Sequence, residues 1–272
     1  MITTYCTNNY YRWAELFLKS WKTTNDNSEK ICINTLNFDE SRIQKLKGMY
    51  ENLIIANENM DFKEIYNNLG MTKEEFENSR HGVKEGFRDI GKNRSVVTFF
   101  ASDKRINSVL RTINEHKEEK YFLQCDIDLL FRKPIEVIKM DYDAGLRFKL
   151  HRQYECRKIN IGFMFLKNNK KTVKLVNDWV DVVNSVPLHK RDIKTLNSKL
   201  WGQYTFYQAY KMNKLKTFVI SDSYFDNRYN DKSVVWSANK RMWKNKTRNK
   251  TNTYEFLKAE HENNICNKGV CK

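Results

Sequence analysis

Short apolar runs alternate with amphipathic segments from Ile2 onward, and this alternation restricts the chain to folds in which helices cover a sheet. Ile2 to Tyr5 reads as a strand, after which Trp13, Ala14, Phe17, Leu18 and Trp21 share one helical face. A second strand is expected at Ile31 to Thr35, a helix around Ile43 and Leu46, and a third strand at Leu53 to Ala56. Helical periodicity returns over Val96, Phe99, Phe100, Ile106, Val109, Leu110 and Ile113. It leads into the run Tyr121-Phe122-Leu123, which the absence of alternation marks as a central, buried strand. Further strands are expected over 143–147, 161–166 and 218–221, and helices over 173–183, 200–212 and 254–261. The pattern predicts an α/β fold with a mixed, mostly parallel sheet flanked by helices.

Two prolines, nine glycines, no Ser/Gly linker and no repeat leave no candidate boundary, so residues 1–272 are expected to form a single domain. Residues 61–94 are polar and irregular, as a flexible flap would be, apart from a capping-box spacing at Thr72 and Glu75. With 40% hydrophobic residues the chain has a core to bury, which excludes a disordered or collagen-like class. No apolar run approaches the roughly 18 residues of a membrane span, and the first residues lack the basic and apolar regions of a secretory signal. A soluble, cytoplasmic protein is therefore expected. The six cysteines are scattered except for Cys266 and Cys271, which suits reduced thiols rather than a disulfide framework.

The balance of 49 basic against 33 acidic residues, +16 in all, favours anionic partners without choosing among them. Seven Lys or Arg and no acid stand between Lys232 and Lys250, interleaved with Trp236 and Trp243. Residues 232–272 thus read as a basic loop followed by a helix.

The run from Tyr121 to Phe131 carries two carboxylates, Asp126 and Asp128, inside otherwise apolar sequence. Burying such a charge without a partner is strongly disfavoured, so the pair implies exposure at the end of its strand, a cation, or both. Residues i and i+2 of an extended segment project to one side and can meet one hard divalent ion, Mn²⁺ or Mg²⁺. Positions left open on that ion suit phosphate oxygens. The carboxyl edge of an α/β sheet is also where such folds bind ligands.

An apolar strand, the Asp-x-Asp and the following Lys133-Pro134 together resemble the signature of GT-A glycosyltransferases, in particular the family 8-like group of nucleotide-diphospho-sugar transferases. The resemblance implies a GT-A, Rossmann-like fold and sugar transfer from a nucleotide diphosphate sugar, by resemblance a UDP-sugar, to a glycan or glycoconjugate. It implies that Thr3, Thr4 and Tyr5, with Tyr11, bind the nucleoside, and that Asn8 and Asn9 stand where an Asp is frequent. Asn160-Ile161-Gly162 resembles the strand whose Asn faces the transferred sugar or acceptor, and Gly202-Gln203 an Asp-Gln pair near the anomeric carbon, with the Asp missing. Asn160 and Gln203 are accordingly the catalytic candidates. Lys240 and Lys244 fit the place of a diphosphate-binding lysine, while Trp236 or Asn239 stands where a metal-binding His is usual. Asp128 is assigned to the metal directly, and Asp126 to the metal and the ribose side.

Two other readings compete. Gly86 to Asn93 misses a phosphate-binding loop by one residue, with Asn93 in place of the Ser or Thr hydroxyl and no apolar strand before Gly86. A metal-dependent nucleic-acid enzyme or binding module would also use paired Asp and positive charge, yet no nucleic-acid-binding motif is present, and no nucleic-acid partner is expected. Peripheral contact with an anionic membrane is a further expectation from the charge.

Overall fold

The computed structural model describes residues 1–60, 72, 91–136, 141–149, 158–186, 201–226, 229–238 and 253–267. The chain divides into two compact units, Met1–Asn57 with Leu123–Asp141 and Val219–Lys272, and Glu58–Phe122 with Tyr142–Phe218.

The first unit opens as the alternation predicts, with β1 (Ile2–Thr7), α1 (Tyr11–Thr24), β2 (Ile31–Leu36), α2 (Glu40–Lys47) and β3 (Leu53–Glu58). β4 (Tyr121–Asp126) joins them in the order β3-β2-β1-β4. β1 is parallel to both neighbours, with Tyr5 opposite Asn34 on β2 and Asp126 on β4. β2 is buried along its whole length, as a strand covered on both faces must be. The α2 start is set by Asp39, whose carboxylate accepts from the Arg42 N–H at 2.9 Å.

A small three-stranded sheet of β5 (Leu129–Phe131), β9 (Phe225–Asp226) and β10 (Val235–Ser237), in the order β5-β10-β9, was not legible in the periodicity. Its strands are two or three residues long, too short to show a period. The basic segment expected to be a loop from Lys232 thus begins with a buried strand. The last helix, α6 (Thr253–Asn267), lies where sequence placed it.

The second unit contains α3 (Gly91–Glu115), β6 (Ala144–Phe148), β7 (Ile159–Lys167), α4 (Lys170–Asn184), α5 (Trp201–Lys211) and β8 (Thr217–Val219), with strand order β7-β6-β8. β6 and β7 are antiparallel, so the sheet is mixed as expected. Gly145 is required: a Cβ there would lie 2.1 Å from Cζ of Phe218. Trp179 of α4 is buried, meets Phe206 of α5 edge-on at 4.9 Å and donates its Nε1–H to Thr205 Oγ1 at 3.0 Å. The expected flap lies outside the described residues except Thr72 and the first turn of α3; so do Glu75, most of the phosphate-loop look-alike, and residues 239–252. The α/β architecture, parallel strands flanked by helices, is borne out.

Candidate active site

In the first unit the acid pair stands where β4 ends. Cys125 is fully buried, Asp126 is half-buried as the last residue of β4, Ile127 turns inward, and Asp128 is half-buried in the bend that follows. The inward Ile127 between two outward neighbours is the alternation an extended chain imposes. Both ends of the pair are anchored. Upstream, Tyr5 flanks Asp126 in the parallel register; downstream, β5 is held by Phe131, whose ring meets Phe17 and Trp21 edge-on at 5.0 Å and whose N–H donates to Ser20 Oγ at 3.2 Å. The Ala238 N–H donates to the Asp128 main-chain carbonyl at 3.1 Å, so β10 brings the start of the basic segment to this bend. The Cys125 thiol is pushed well up, first by burial and then by the neighbouring Asp126 charge.

The other residues expected at the nucleoside divide. Thr3 and Thr4 lie inside the sheet, and the Asn34 amide donates to the Thr3 hydroxyl and the Thr4 carbonyl, each at 3.3 Å. Tyr5 is half-buried and nearer the carboxyl edge. Tyr11 opens α1 with Arg42 Cζ 5.3 Å and Lys45 Nζ 5.7 Å from its ring centre and Phe38 edge-on at 5.9 Å. Burial raises the Tyr11 pKa, and the Glu15 charge adds to this while Lys45 opposes it. Arg42 also hydrogen-bonds the Asn8 carboxamide oxygen. Sequence reasoning missed Arg42 and Lys45. Their three-residue spacing on α2, directly after a strand, was the available signal.

Trp236 is no metal ligand. Its ring is 1% exposed, packs with Leu16, Leu130, Tyr229 and Leu257, and lies under the Arg132 guanidinium at 3.7 Å. Its Nε1–H donates to the Asn230 carbonyl at 2.8 Å. Asn239, Lys240 and Lys244 lie outside the described residues. Among the described residues, no group of three or more His, Cys, Asp or Glu is gathered to hold a metal ion. Two carboxylates at one bend nevertheless fit a hard cation whose remaining positions are filled by phosphate and water oxygens.

In the second unit Asn160 lies near the start of β7, paired with the buried Arg147 of β6. The ladder then slips: four residues, Ile161 to Met164, face Leu146 alone, an irregularity of the kind that re-aims side chains. Asn160 Oδ1 accepts from the Gly162 N–H at 2.8 Å within this bulge. Gln203 is half-buried in the first turn of α5. A Cβ on the preceding Gly202 would come within 3.0 Å of Ile161 Cδ1 and 2.9 Å of Ser102 Oγ, so glycine lets the start of α5 approach β7 and α3. Asn160 and Gln203 therefore belong to one corner of this unit.

Residues 108–255, more than half of the chain, match the family model for nucleotide-diphospho-sugar transferases. No curated protein matches the sequence. Among solved structures, the galactosyltransferase LgtC in complex with donor and acceptor sugar analogues is 13% identical, with 82% of this chain and 74% of that one covered and a TM-score of 0.43. The glycosyltransferase GlyE of Streptococcus pneumoniae TIGR4 is 10% identical, covering 82% and 45%, with a TM-score of 0.49. The bifunctional glycosyltransferase WbbM is 8% identical, covering 82% and 39%, with a TM-score of 0.45. The acid pair and the basic segment both fall inside the span of the family match, and the chain belongs to the nucleotide-diphospho-sugar transferase family, as a glycosyltransferase.

Proposed function

We propose that the enzyme, with residues 1–272 acting as one domain, transfers a sugar from a UDP-sugar to a glycan or glycoconjugate acceptor, using Mn²⁺ or Mg²⁺ held by Asp128 with the help of Asp126. The observation that carries this reading is the position of the two carboxylates at the carboxyl end of β4, fixed between Tyr5 and the Ala238 contact to Asp128. When bound, the cation supplies positive charge against the departing diphosphate.

The chain's own residues divide the remaining work. Asp126 is assigned to the ribose side beside Tyr5, and Tyr11 to the nucleoside, with the Arg42 and Lys45 cations at its ring favouring an anionic nucleotide. Thr3 and Thr4 are assigned to the nucleoside from inside the sheet, where the Thr3 hydroxyl accepts from the Asn34 amide. Lys240 and Lys244 follow the Ala238 contact by two and six residues and are assigned to the diphosphate, where each offers a charge-assisted hydrogen bond to the leaving group. Asn160 and Gln203 are assigned to the transferred sugar. Among the described residues no helix is long and apolar enough to cross a membrane. The unbridged, buried thiols of Cys6, Cys32 and Cys125 suit a reducing compartment such as the cytoplasm.

The test is a panel of nucleotide sugars with and without Mn²⁺ or Mg²⁺, read by thermal shift and donor hydrolysis. A UDP-sugar with metal should raise the melting temperature and be turned over. Asp128→Asn should abolish turnover and the metal-dependent part of the shift, with Asp126→Asn impaired less. Full activity in both variants overturns the assignment.

A further inference from the structure

At the end of β7 away from Asn160, three segments of the second unit meet through a fixed set of hydrogen bonds. Asn168 Nδ2–H donates to the Lys117 and Glu119 carbonyls at 3.1 and 2.8 Å, and the Asn168 N–H to the Lys120 carbonyl at 2.9 Å. The Asp143 carboxylate accepts from the Lys216 N–H at 2.9 Å and from Asn169 Nδ2 at 2.8 Å, while the Lys167 N–H reaches the Asp143 carbonyl. Asn213 donates to Asp178 at 2.6 Å. Residues 117–120, 167–174 and 211–216 are thereby gathered into one face.

Those eighteen residues contain nine lysines, no arginine and two glutamates, against 49 basic residues in the 272 of the chain. All but Lys167 of the nine are exposed. The acids beneath them are engaged, Asp143 by two amides and Lys171, and Asp178 by Lys174 and Asn213, while the exposed Glu118 stands 3.6 Å from His116. Met212, 62% exposed, projects between Lys211 and Lys214, and the lysines on either side cover tyrosine rings, Lys211 on Tyr207 and Lys216 on Tyr142, each at 5.1 Å.

We infer that this lysine face docks the enzyme on an anionic lipid bilayer. Lysine without arginine supplies strongly hydrated point charges, suited to the smeared charge of a membrane surface rather than to paired recognition of single phosphates. An exposed apolar tip among those lysines can enter the headgroup region, with the tyrosines at the interface. A nucleic acid or soluble polyanion would use the charge but has no use for Met212. The face goes beyond the sugar-transfer reading and does not depend on it. Asn160 and Lys167 are seven residues apart on β7, roughly 20 Å of strand, so the face can be altered without touching the sugar corner.

The experiment is co-sedimentation with phosphatidylcholine vesicles with and without phosphatidylglycerol. Binding should require the anionic lipid and weaken as salt rises beyond ~0.15 M. The triple change Lys211→Glu, Lys214→Glu, Lys216→Glu should weaken it by roughly a hundredfold, while a charge-matched triple in the first unit, Lys22→Glu, Lys47→Glu, Lys258→Glu, should change it far less. Met212→Asp should weaken vesicle binding and leave heparin binding unchanged. Equal losses in the two triples, or heparin and vesicles bound alike with no effect of Met212→Asp, would overturn the assignment. Donor hydrolysis should be unchanged in the lysine triple. Asp128→Asn should retain vesicle binding, so failure of the transfer reading and failure of the docking face are told apart.

Discussion

Asn160 has two polar ends that substitution can separate. Its Oδ1 supports the β7 bulge by accepting from the Gly162 N–H, while its Nδ2 has no hydrogen-bond partner among the described residues and is assigned to the sugar. Asn160→Ala removes both and should cost about 1–3 kcal/mol of stability, because an N–H inside the bulge loses its acceptor. Asn160→Asp keeps the acceptor and replaces the donor, so urea denaturation should find it near wild type while turnover falls. A stable Asn160→Asp variant with normal turnover would leave the residue a structural role alone. Gln203 has no such structural duty in the described contacts, and Gln203→Ala should reduce turnover with little change in melting temperature.

β10 connects the core to the acid pair. Trp236 fixes it beneath α6, where Phe256 stacks on the indole at 6.5 Å and meets Tyr229 at 5.2 Å, and Tyr254 meets Trp13 of α1 at 5.2 Å. Tyr229 holds a positive φ of 60° while fully buried, a conformation that a bulky residue keeps only where packing compels it. Trp236→Ala should therefore cost about 3–5 kcal/mol. Trp236→His should also destabilise, and Mn²⁺ titration should find no gain in metal affinity, because the side chain points into the aromatic cluster. A tighter Mn²⁺ complex in that variant would contradict this orientation.

Acid sensitivity is a property of the whole molecule, and among the described residues His261 and the carboxylates of Asp143 and Asp178 contribute to it in different pH ranges. His261 on α6 is buried, and desolvation first, then the Lys19 charge, lower its pKa from its ordinary value. The unfolded chain then binds the proton more readily, so this contribution to stability is full above the unfolded pKa of about 6.5 and is lost as pH falls below it. Asp143 and Asp178 are opposed by desolvation, but hydrogen bonds from Lys216 and Asn169, and from Lys174 and Asn213, bring both below the ordinary carboxylate value. Their contribution is present above about pH 4 and is lost below it, as pH falls through the folded values. Unfolding free energy measured by urea should accordingly fall in two limbs. His261→Gln should flatten the upper limb, and a profile unchanged by that substitution would place its origin elsewhere.

The α/β order of elements and the acid pair were determined by local chemistry. Apolar periodicity reports burial directly, and two carboxylates in an apolar strand demand an exposed end or a cation wherever the strand lies. The mostly parallel opening, the helix positions and the place of Asp126 at a strand end followed from residues that are neighbours in the chain. What tertiary structure decided is the partnership of residues far apart in sequence. Trp236 became core because Leu16, Leu130 and Leu257 surround it, Thr3 turned inward to Asn34, and Arg42 and Lys45 came to the Tyr11 ring. The three lysine segments of the docking face, nearly a hundred residues apart at their extremes, met only through Asn168, Asp143 and Asp178. Strands of two or three residues such as β9 and β10 carry too few side chains to encode a period, so only long-range pairing specifies them.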